Sequence, residues 1–434
     1  MIKCLFHKYV KERNVPHEYA GNNFDHTQRG LALLKKYECP VNPDYELPYD
    51  YDVSLIDSYS NLVFNNKDTY FIFVPLNFHL LKLLMEAEPN YLQNLYRYNE
   101  RPNVHLIFDY NNESLLPGRF GPQSDHEWCN TIDYTQFYIS SYGVDHTDNF
   151  DPGFESKGII PCLIYHVFWY LRTLGHNYGS FLKDPNLIFT HKGKSGPIRY
   201  FVPCNQFRPS RGKLIVEMEK RGMLRDTEWN MNDFTDWNNK PQSEIQGILK
   251  AHPDLKKYFE WFGTKTRHMS YPWNRTFNFT KQDIKNPTHF GVHRTPYTSF
   301  PISLVQKAYI YLAAETFITE DPFNNEEPEI LQDFSEKTCK GFVFGMPMFV
   351  YGYQGVAKAC ERRGFDMFRD YWTSEFDSQD NTDRRLRGLV DSAVAFPEAN
   401  QDIVDRCKHN KNLFVQKEFL WSTINDLFES ILDK

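Results

Sequence analysis

The chain lacks most of the short spellings that identify an enzyme at once. Its eight cysteines, Cys4, Cys39, Cys129, Cys162, Cys204, Cys339, Cys360 and Cys407, are scattered with no C-x-x-C spacing. That argues against a zinc ribbon or a disulfide framework and for reduced thiols in a cytosolic protein. No run approaches the ~18 apolar residues of a membrane span. The opening MIKCLFHKYVKER has too few apolar residues and too many charges for a signal sequence. Neither the phosphate-loop spelling G-x-x-x-x-G-K-[ST] nor a G-x-G-x-x-G after a strand occurs, which argues against a P-loop and a dinucleotide fingerprint. No G-x-S-x-G elbow offers a serine nucleophile. The fifteen histidines are dispersed, and His289 and His293 in THFGVHRT have no carboxylate at ligand spacing. Asp50-Tyr51-Asp52 spells a D-x-D, but it lies in a Tyr- and Pro-rich stretch read as a loop. No metal site is therefore expected. The net charge of −7 supplies no global basic field for nucleic acid.

What is present is an ordinary globular composition with unusually many rings. Hydrophobic residues make up 41% of the 434 residues, charged residues 24% and aromatics 16%, with 36 Phe and 27 Tyr. That length exceeds one core and predicts two domains. In the first half, continuous apolar runs alternate with helical spacing. MIKCLF, Thr69–Leu76 and Val104–Tyr110 read as buried strands. Asp25–Tyr37 reads as a helix capped by Asp25, and FHLLKLLMEAEPNYLQNLYRY as helix interrupted at Pro89. Ile160–Leu171 reads as a strand, or as a strand running into a helix. Strands alternating with helices predict a parallel α/β sheet. Leu174–Pro197, rich in Gly, Asn and Lys, is the candidate linker. The pattern then restarts with a strand at Arg199–Asn205, a helix at Ser210–Gly222 with Ser210 as N-cap and Gly222 as C-cap, and a strand at Ala308–Thr316. The tail Leu413–Leu432 has helical spacing.

Three groups of residues carry candidate chemistry. Arg208, Arg211 and Lys213 cluster where a strand gives way to a helix, the place at which an α/β sheet binds ligands. Free N–H groups and the helix dipole favour an anion there, and arginine grips phosphate bidentately. A solvated basic turn accounts for the same residues. Glu336 and Lys337 precede the run FVFGMPMFVYG, read as a strand, after which Gly352 and Gly355 let backbone approach a ligand closely. A surface ion pair or capping box is the alternative. In the first half, Asp109, Glu113 and Ser114 follow a strand, where a carboxylate is placed as a general base or simply closes an Asx-turn. Asp25 and His26 form a weaker candidate of the same kind.

The segment YIYLAAET, a polar loop, and FSEKTCKGFVFGMPMFVYGYQGVAKACERRGFDMF resemble the donor-binding region of GT-B glycosyltransferases. They look most like the fucosyltransferase and exostosin-like groups, and are similar to a set of tailed-phage proteins. The likeness runs from Tyr309 to Phe368, more loosely from Asn205 to Leu224, and is thin before residue 200. It implies an α/β fold of two Rossmann-like domains facing a cleft. The first, residues 1–185, would bind acceptor, and the second, 186–400, would bind a nucleotide-diphosphate sugar. A last segment, 401–434, would return as a helix to the first domain. Glu315, Glu336, Lys337 and Gly352, with Arg208, Arg211 and Lys213, are the implied donor contacts. Glu113 is the implied base, with Asp109 beside it. The implied reaction is inverting and metal-independent, with no cofactor beyond the sugar donor. The acceptor would be a glycan or a hydroxymethylated base of phage DNA, and the location the cytoplasm, that of the host if phage-encoded. A non-catalytic nucleotide-sugar or glycan-binding protein of the same fold is the alternative.

Overall fold

The computed structural model describes residues 1–7, 26–75, 78–88, 90–110, 132–141, 156–162, 198–205, 209–231, 307–315 and 336–432, with scattered positions from 164 to 171 and residue 250. Its contacts divide into two units, Met1–Gly175 with Gln416–Lys434, and His176–Pro328 with Phe334–Val415.

The first unit is built on a six-stranded sheet, and every pairing in it is parallel. In chain order the elements are β1 (Ile2–His7), α1 (His26–Lys35), β2 (Tyr51–Ile56), β3 (Thr69–Pro75), α2 (Phe78–Ala87), α3 (Tyr91–Asn99), β4 (Val104–Tyr110), β5 (Tyr138–Ser141) and β6 (Gly158–Pro161). Across the sheet the order is β2-β1-β3-β4-β5-β6. The central strands are apolar on both sides because helices cover both faces. Ile72, Val74, Leu106 and Phe108 pack with Leu81, Leu84, Leu92 and Leu95 of α2 and α3. On the other face Phe71 meets Phe428 (ring centroids 5.6 Å apart), and Tyr51 stacks on Trp421 at 6.1 Å. Those two rings belong to α9 (Lys417–Leu432), so the chain's last described helix completes the core of its first sheet. α2 ends at Ala87 and α3 begins at Tyr91, so the expected interruption is present; Pro89 itself lies outside the described residues.

One reading from the sequence fails here. Tyr51 and Asp52 are not in a loop. They open β2, which pairs with β1 from Ile2↔Tyr51 to His7↔Ile56. Asp52 is spent on Lys3 across the pair, 3.2 Å away, and the Tyr51 hydroxyl donates to Leu31 O at 2.8 Å. The alternation in YDVSLI was masked by the prolines and tyrosines before it.

The second unit carries a four-stranded parallel sheet ordered β8-β7-β9-β10. Its elements are β7 (Ile198–Asn205), α4 (Pro209–Lys220), β8 (Thr227–Met231), β9 (Ala308–Ala314), α5 (Glu336–Phe344), β10 (Met348–Tyr351), α6 (Val356–Arg362), α7 (Thr382–Ala395) and α8 (Gln401–Val415). β9 is buried at every position. One face of the sheet packs on Leu214, Ile215 and Met218 of α4 and on Leu386, Leu389, Val390 and Ala393 of α7.

Two expectations are corrected in this unit. Residues 336–344, read as the approach to a strand and its first half, form helix α5, and only Met348–Tyr351 is strand. Gly345, at φ +58°, ends the helix, as left-handed glycines do. Gly341 lies inside α5 because the helix sits hard on the sheet: a Cβ there would collide with Met348 Sδ and lie 3.2 Å from Tyr311 Cδ1. Ser210 is not an N-cap. α4 begins at Pro209, whose fixed φ and absent N–H suit a first helical position. Gly222, at φ +69°, does close that helix. α6 ends in a Schellman arrangement, with Gly364 N donating to Glu361 O and Phe365 N to Cys360 O.

Candidate functional site

In a doubly wound sheet, ligands bind beyond the carboxyl ends of the strands at the point where strand order reverses. In the second unit that point lies between β7 and β9, since β8 is on one side and β10 on the other. Beside it, at the carboxyl ends of β9 and β10, three segments singled out from the sequence converge. Glu315 follows β9 directly, is 4% exposed, and its N–H donates to Tyr351 O at 2.9 Å. Thr338, in the first turn of α5 and fully buried, donates its hydroxyl to Glu315 Oε1 at 2.5 Å. The Tyr311 hydroxyl, from within β9, donates to the carbonyl oxygen of Lys337 at 2.8 Å. These two bonds fix the start of α5 against the end of β9 and hold Lys337 half-buried at the sheet's carboxyl edge. Gly352 follows β10, and a Cβ on it would lie 3.4 Å from Glu315 Cγ and 3.3 Å from Val356 Cγ1. Glu315, Lys337 and Gly352 are thus brought together by a packed arrangement.

The basic residues after β7 separate into different environments. Arg211 is 3% exposed, and its charge reaches back to β7. Burial pushes the Cys204 thiol up to about 12, and Arg211 partly opposes that rise. Lys213 instead turns to Asp383 in the first turn of α7, at 3.4 Å. Glu336 is the first residue of α5. Arg208 and Glu113 lie outside the described residues, as does the side chain of Glu336. Asp109, in the first unit, is the penultimate residue of β4 and is buried.

The opening of α6 holds a protein carboxylate. Gly355 precedes the helix at φ +86°, a conformation that favours glycine. The amides of Ala357 and Lys358 each donate to Asp377, both at 3.1 Å. Burial raises the Asp377 pKa, and those two amides oppose the rise. A ligand phosphate at this edge would therefore rely on α4, α5 and their side chains.

Sequence reasoning missed Thr338, Asp377 and Arg385. Arg385 is 2% exposed and donates through Nε to Gly352 O at 3.2 Å and through Nη1 to Gln379 O at 2.6 Å. A guanidinium buried against the turn after β10 sets where Gly352 lies. Its signal was weak, since TDRRLRGLVDS looks like any charged helix start. Thr338 was legible only as the residue after a conspicuous Glu-Lys pair.

The geometry defines an α/β protein with two parallel sheets, the second carrying a packed carboxyl edge at the ends of β9 and β10. No family model and no curated protein matches the chain. Among solved structures it is similar to a Listeria monocytogenes protein assigned as a UDP-N-acetylglucosamine 2-epimerase, at 10% identity and a TM-score of 0.29, over 94% of this chain and 90% of that one. A likeness at that level carries no functional argument. Among the described residues no group of His, Cys, Asp and Glu is placed to hold a metal ion, and no helix is long and apolar enough to cross a membrane.

Proposed function

We propose that the protein is a glycosyltransferase that moves a sugar from a nucleotide-diphosphate sugar to an acceptor hydroxyl. The observation that carries this reading is the convergence of Glu315, Lys337 and Gly352 at the carboxyl ends of β9 and β10 in the second sheet, fixed by the Thr338–Glu315 and Tyr311–Lys337 bonds. They are the residues that the GT-B resemblance marks as donor contacts. Lys337 and Arg211 supply positive charge for the diphosphate that departs with the bonding electron pair. Glu315 and Glu336 accept hydroxyl hydrogens of the sugar. The donor is bound by the second unit and the acceptor by the first, with Glu113 and Asp109 as carboxylates of the acceptor side. The reaction inverts the anomeric centre and needs no metal. The acceptor is a glycan or a hydroxymethylated DNA base, and the net charge of −7 lends the DNA acceptor no support.

The test is a thermal-shift screen of uridine, guanosine, adenosine and thymidine diphosphate sugars with the full chain. A ligand that binds only the native state raises the melting temperature. At least one should do so, and Lys337→Ala should lose most of that shift. Removing a charge-assisted contact costs about 1.5–3 kcal/mol, or roughly ten- to a hundredfold in affinity. If no nucleotide sugar shifts the wild-type protein, the donor reading fails. Binding without turnover on any hydroxyl acceptor would identify a binding protein of the same fold.

A further inference from the structure

Residues 376–381, just before α7, lie across the turn that follows β10. Gly355 N donates to Asp377 O at 2.9 Å, and Gln354 Nε2 donates to Ser378 O at 2.8 Å. The Asp377 carboxylate takes the amides of Ala357 and Lys358. α7 sits hard against this strap: a Cβ on Gly388 would lie 2.6 Å from Phe376 Cβ and 2.8 Å from Ser374 Oγ. The helix is capped by Asn381, whose Oδ1 accepts from Arg384 N at 2.9 Å. Arg385, the next residue, is buried and joins the strap to the turn. Its Nη1 donates to Gln379 O in the strap, and its Nε to Gly352 O in the turn. The guanidinium fork is planar and rigid, so two acceptors held by it are fixed relative to each other.

Gly352 stands beside Glu315. β9 and β10 pair as far as Ala314↔Tyr351, and Glu315 N extends the ladder by one bond to Tyr351 O. The next residues across are therefore Glu315 and Gly352. A Cβ on Gly352 would lie 3.4 Å from Glu315 Cγ, so the backbone at 352 is the wall against which the Glu315 stem rests. Thr338 holds the far end of the same side chain through Oε1. α7 packs on the Tyr351 side of the sheet, and alternation along β10 puts Gly352 on the other side. Arg385 thus reaches the turn from one layer while Glu315 stands in the other. The backbone at Gly352 passes the position of the first to the second.

We propose that Arg385 determines which sugar the second unit accepts, by fixing through Gly352 the place of the Glu315 carboxylate that receives the sugar's hydroxyl hydrogens. The inference rests on the glycosyl-transfer reading and involves the second unit alone. Arg385 touches no donor atom in it and is a positioning residue. Sugars that differ at one hydroxyl are told apart because the wrong one leaves a buried acceptor without its partner. That difference persists only while the acceptor is held to within about 0.5 Å of its place. A lysine at 385 keeps the charge but not the planar fork, and so frees the turn to shift.

The experiment uses the full chain and calorimetry. The ligands are the free uridine, guanosine, adenosine and thymidine diphosphates and their glucose, galactose and mannose esters. The quantity read is the ratio of dissociation constants between the best-bound ester and its epimers on the same nucleotide. The wild type should favour one ester. Arg385→Lys should reduce that preference about tenfold or abolish it, while the free diphosphate loses far less, since the charge is kept. A merely structural role would lower the melting temperature and weaken the free diphosphate and all three esters by one factor, leaving the ratio in place. If Arg385→Lys does not fold, Asn381→Ala loosens the same turn of α7 from its exposed cap and should narrow the ratio in the same direction. An unchanged ratio in folded Arg385→Lys, or in Asn381→Ala where that is the variant that folds, overturns the assignment and leaves donor binding standing. A wild type that binds the three esters alike does the same. A wild type that binds no ester overturns the donor reading itself, and this inference with it.

Discussion

Replacing Thr338 with Val removes one oxygen from the second unit's interior while keeping the branched shape of the side chain. Thr338 is fully buried, Glu315 is 4% exposed, and their oxygens are 2.5 Å apart. A hydrogen bond to a charged group contributes about 1.5–3 kcal/mol, and its loss strands a buried carboxylate one donor short. Helix propensity does not offset this, because Val and Thr rank together. The variant should therefore be destabilised by about 2 kcal/mol. A chain of two units need not unfold in one step, so the measurement should be local: amide hydrogen exchange of β9 and α5 together with urea denaturation. A double-mutant cycle with Glu315→Gln isolates the pair, and the coupling should exceed about 1 kcal/mol. Donor affinity should fall as well, since the bond holds the start of α5 at the sheet edge. Exchange rates unchanged within error, with coupling below about 0.3 kcal/mol, would show that this bond does not organise the site.

Gly341→Ala should destabilise by about 1–3 kcal/mol, the usual cost of forcing a carbon into a filled space, because the new Cβ meets Met348 and Tyr311. A melting temperature at or above that of the wild type would refute the close approach of α5 to the sheet. His105 is depressed from its ordinary 6.5 to about 4, by burial first and by Lys157 second. Its contribution is thus fully present above pH 6.5 and is lost as pH falls towards 4. At about 1.4 kcal/mol per unit it reaches at most about 3 kcal/mol, less whatever solvent screens. His105→Gln should flatten the stability profile between those pH values, and an unaltered slope in urea midpoints would exclude His105 as the titrating group.

Much of the fold was legible because buried parallel strands announce themselves. Ile2–His7, Thr69–Pro75, Val104–Tyr110, Ile198–Asn205 and Ala308–Ala314 are nearly continuous apolar runs, and Pro89 marks the break between α2 and α3. The short or edge strands were harder. β2 is half polar, and β5, β6 and β10 have four residues each, too few for periodicity to register. α5 was misread because Phe342, Val343 and Phe344 form an apolar triplet that serves a buried helix as well as a strand. The candidate site was legible where residue types were unusual, as with Lys337 and Gly352. It was illegible where meaning depended on partners far along the chain: Thr338 with Glu315, and Arg385 with Gly352.

The placement of α9 has a consequence for how the protein is made. Trp421 and Phe428 cover Tyr51 and Phe71, yet they leave the ribosome some 250 residues after β6, the last strand of that sheet. At ~5–20 residues per second, the nascent first sheet waits roughly 10–50 s with aromatic side chains uncovered. Throughout that interval the second unit is being synthesised and can fold first, although it lies later in the chain. Termination just after Val415 would yield a chain whose second unit is complete and whose first sheet lacks the helix that covers Tyr51 and Phe71. Such a product should depend on chaperones for solubility, and supplying Lys417–Leu432 as a separate peptide should relieve that dependence.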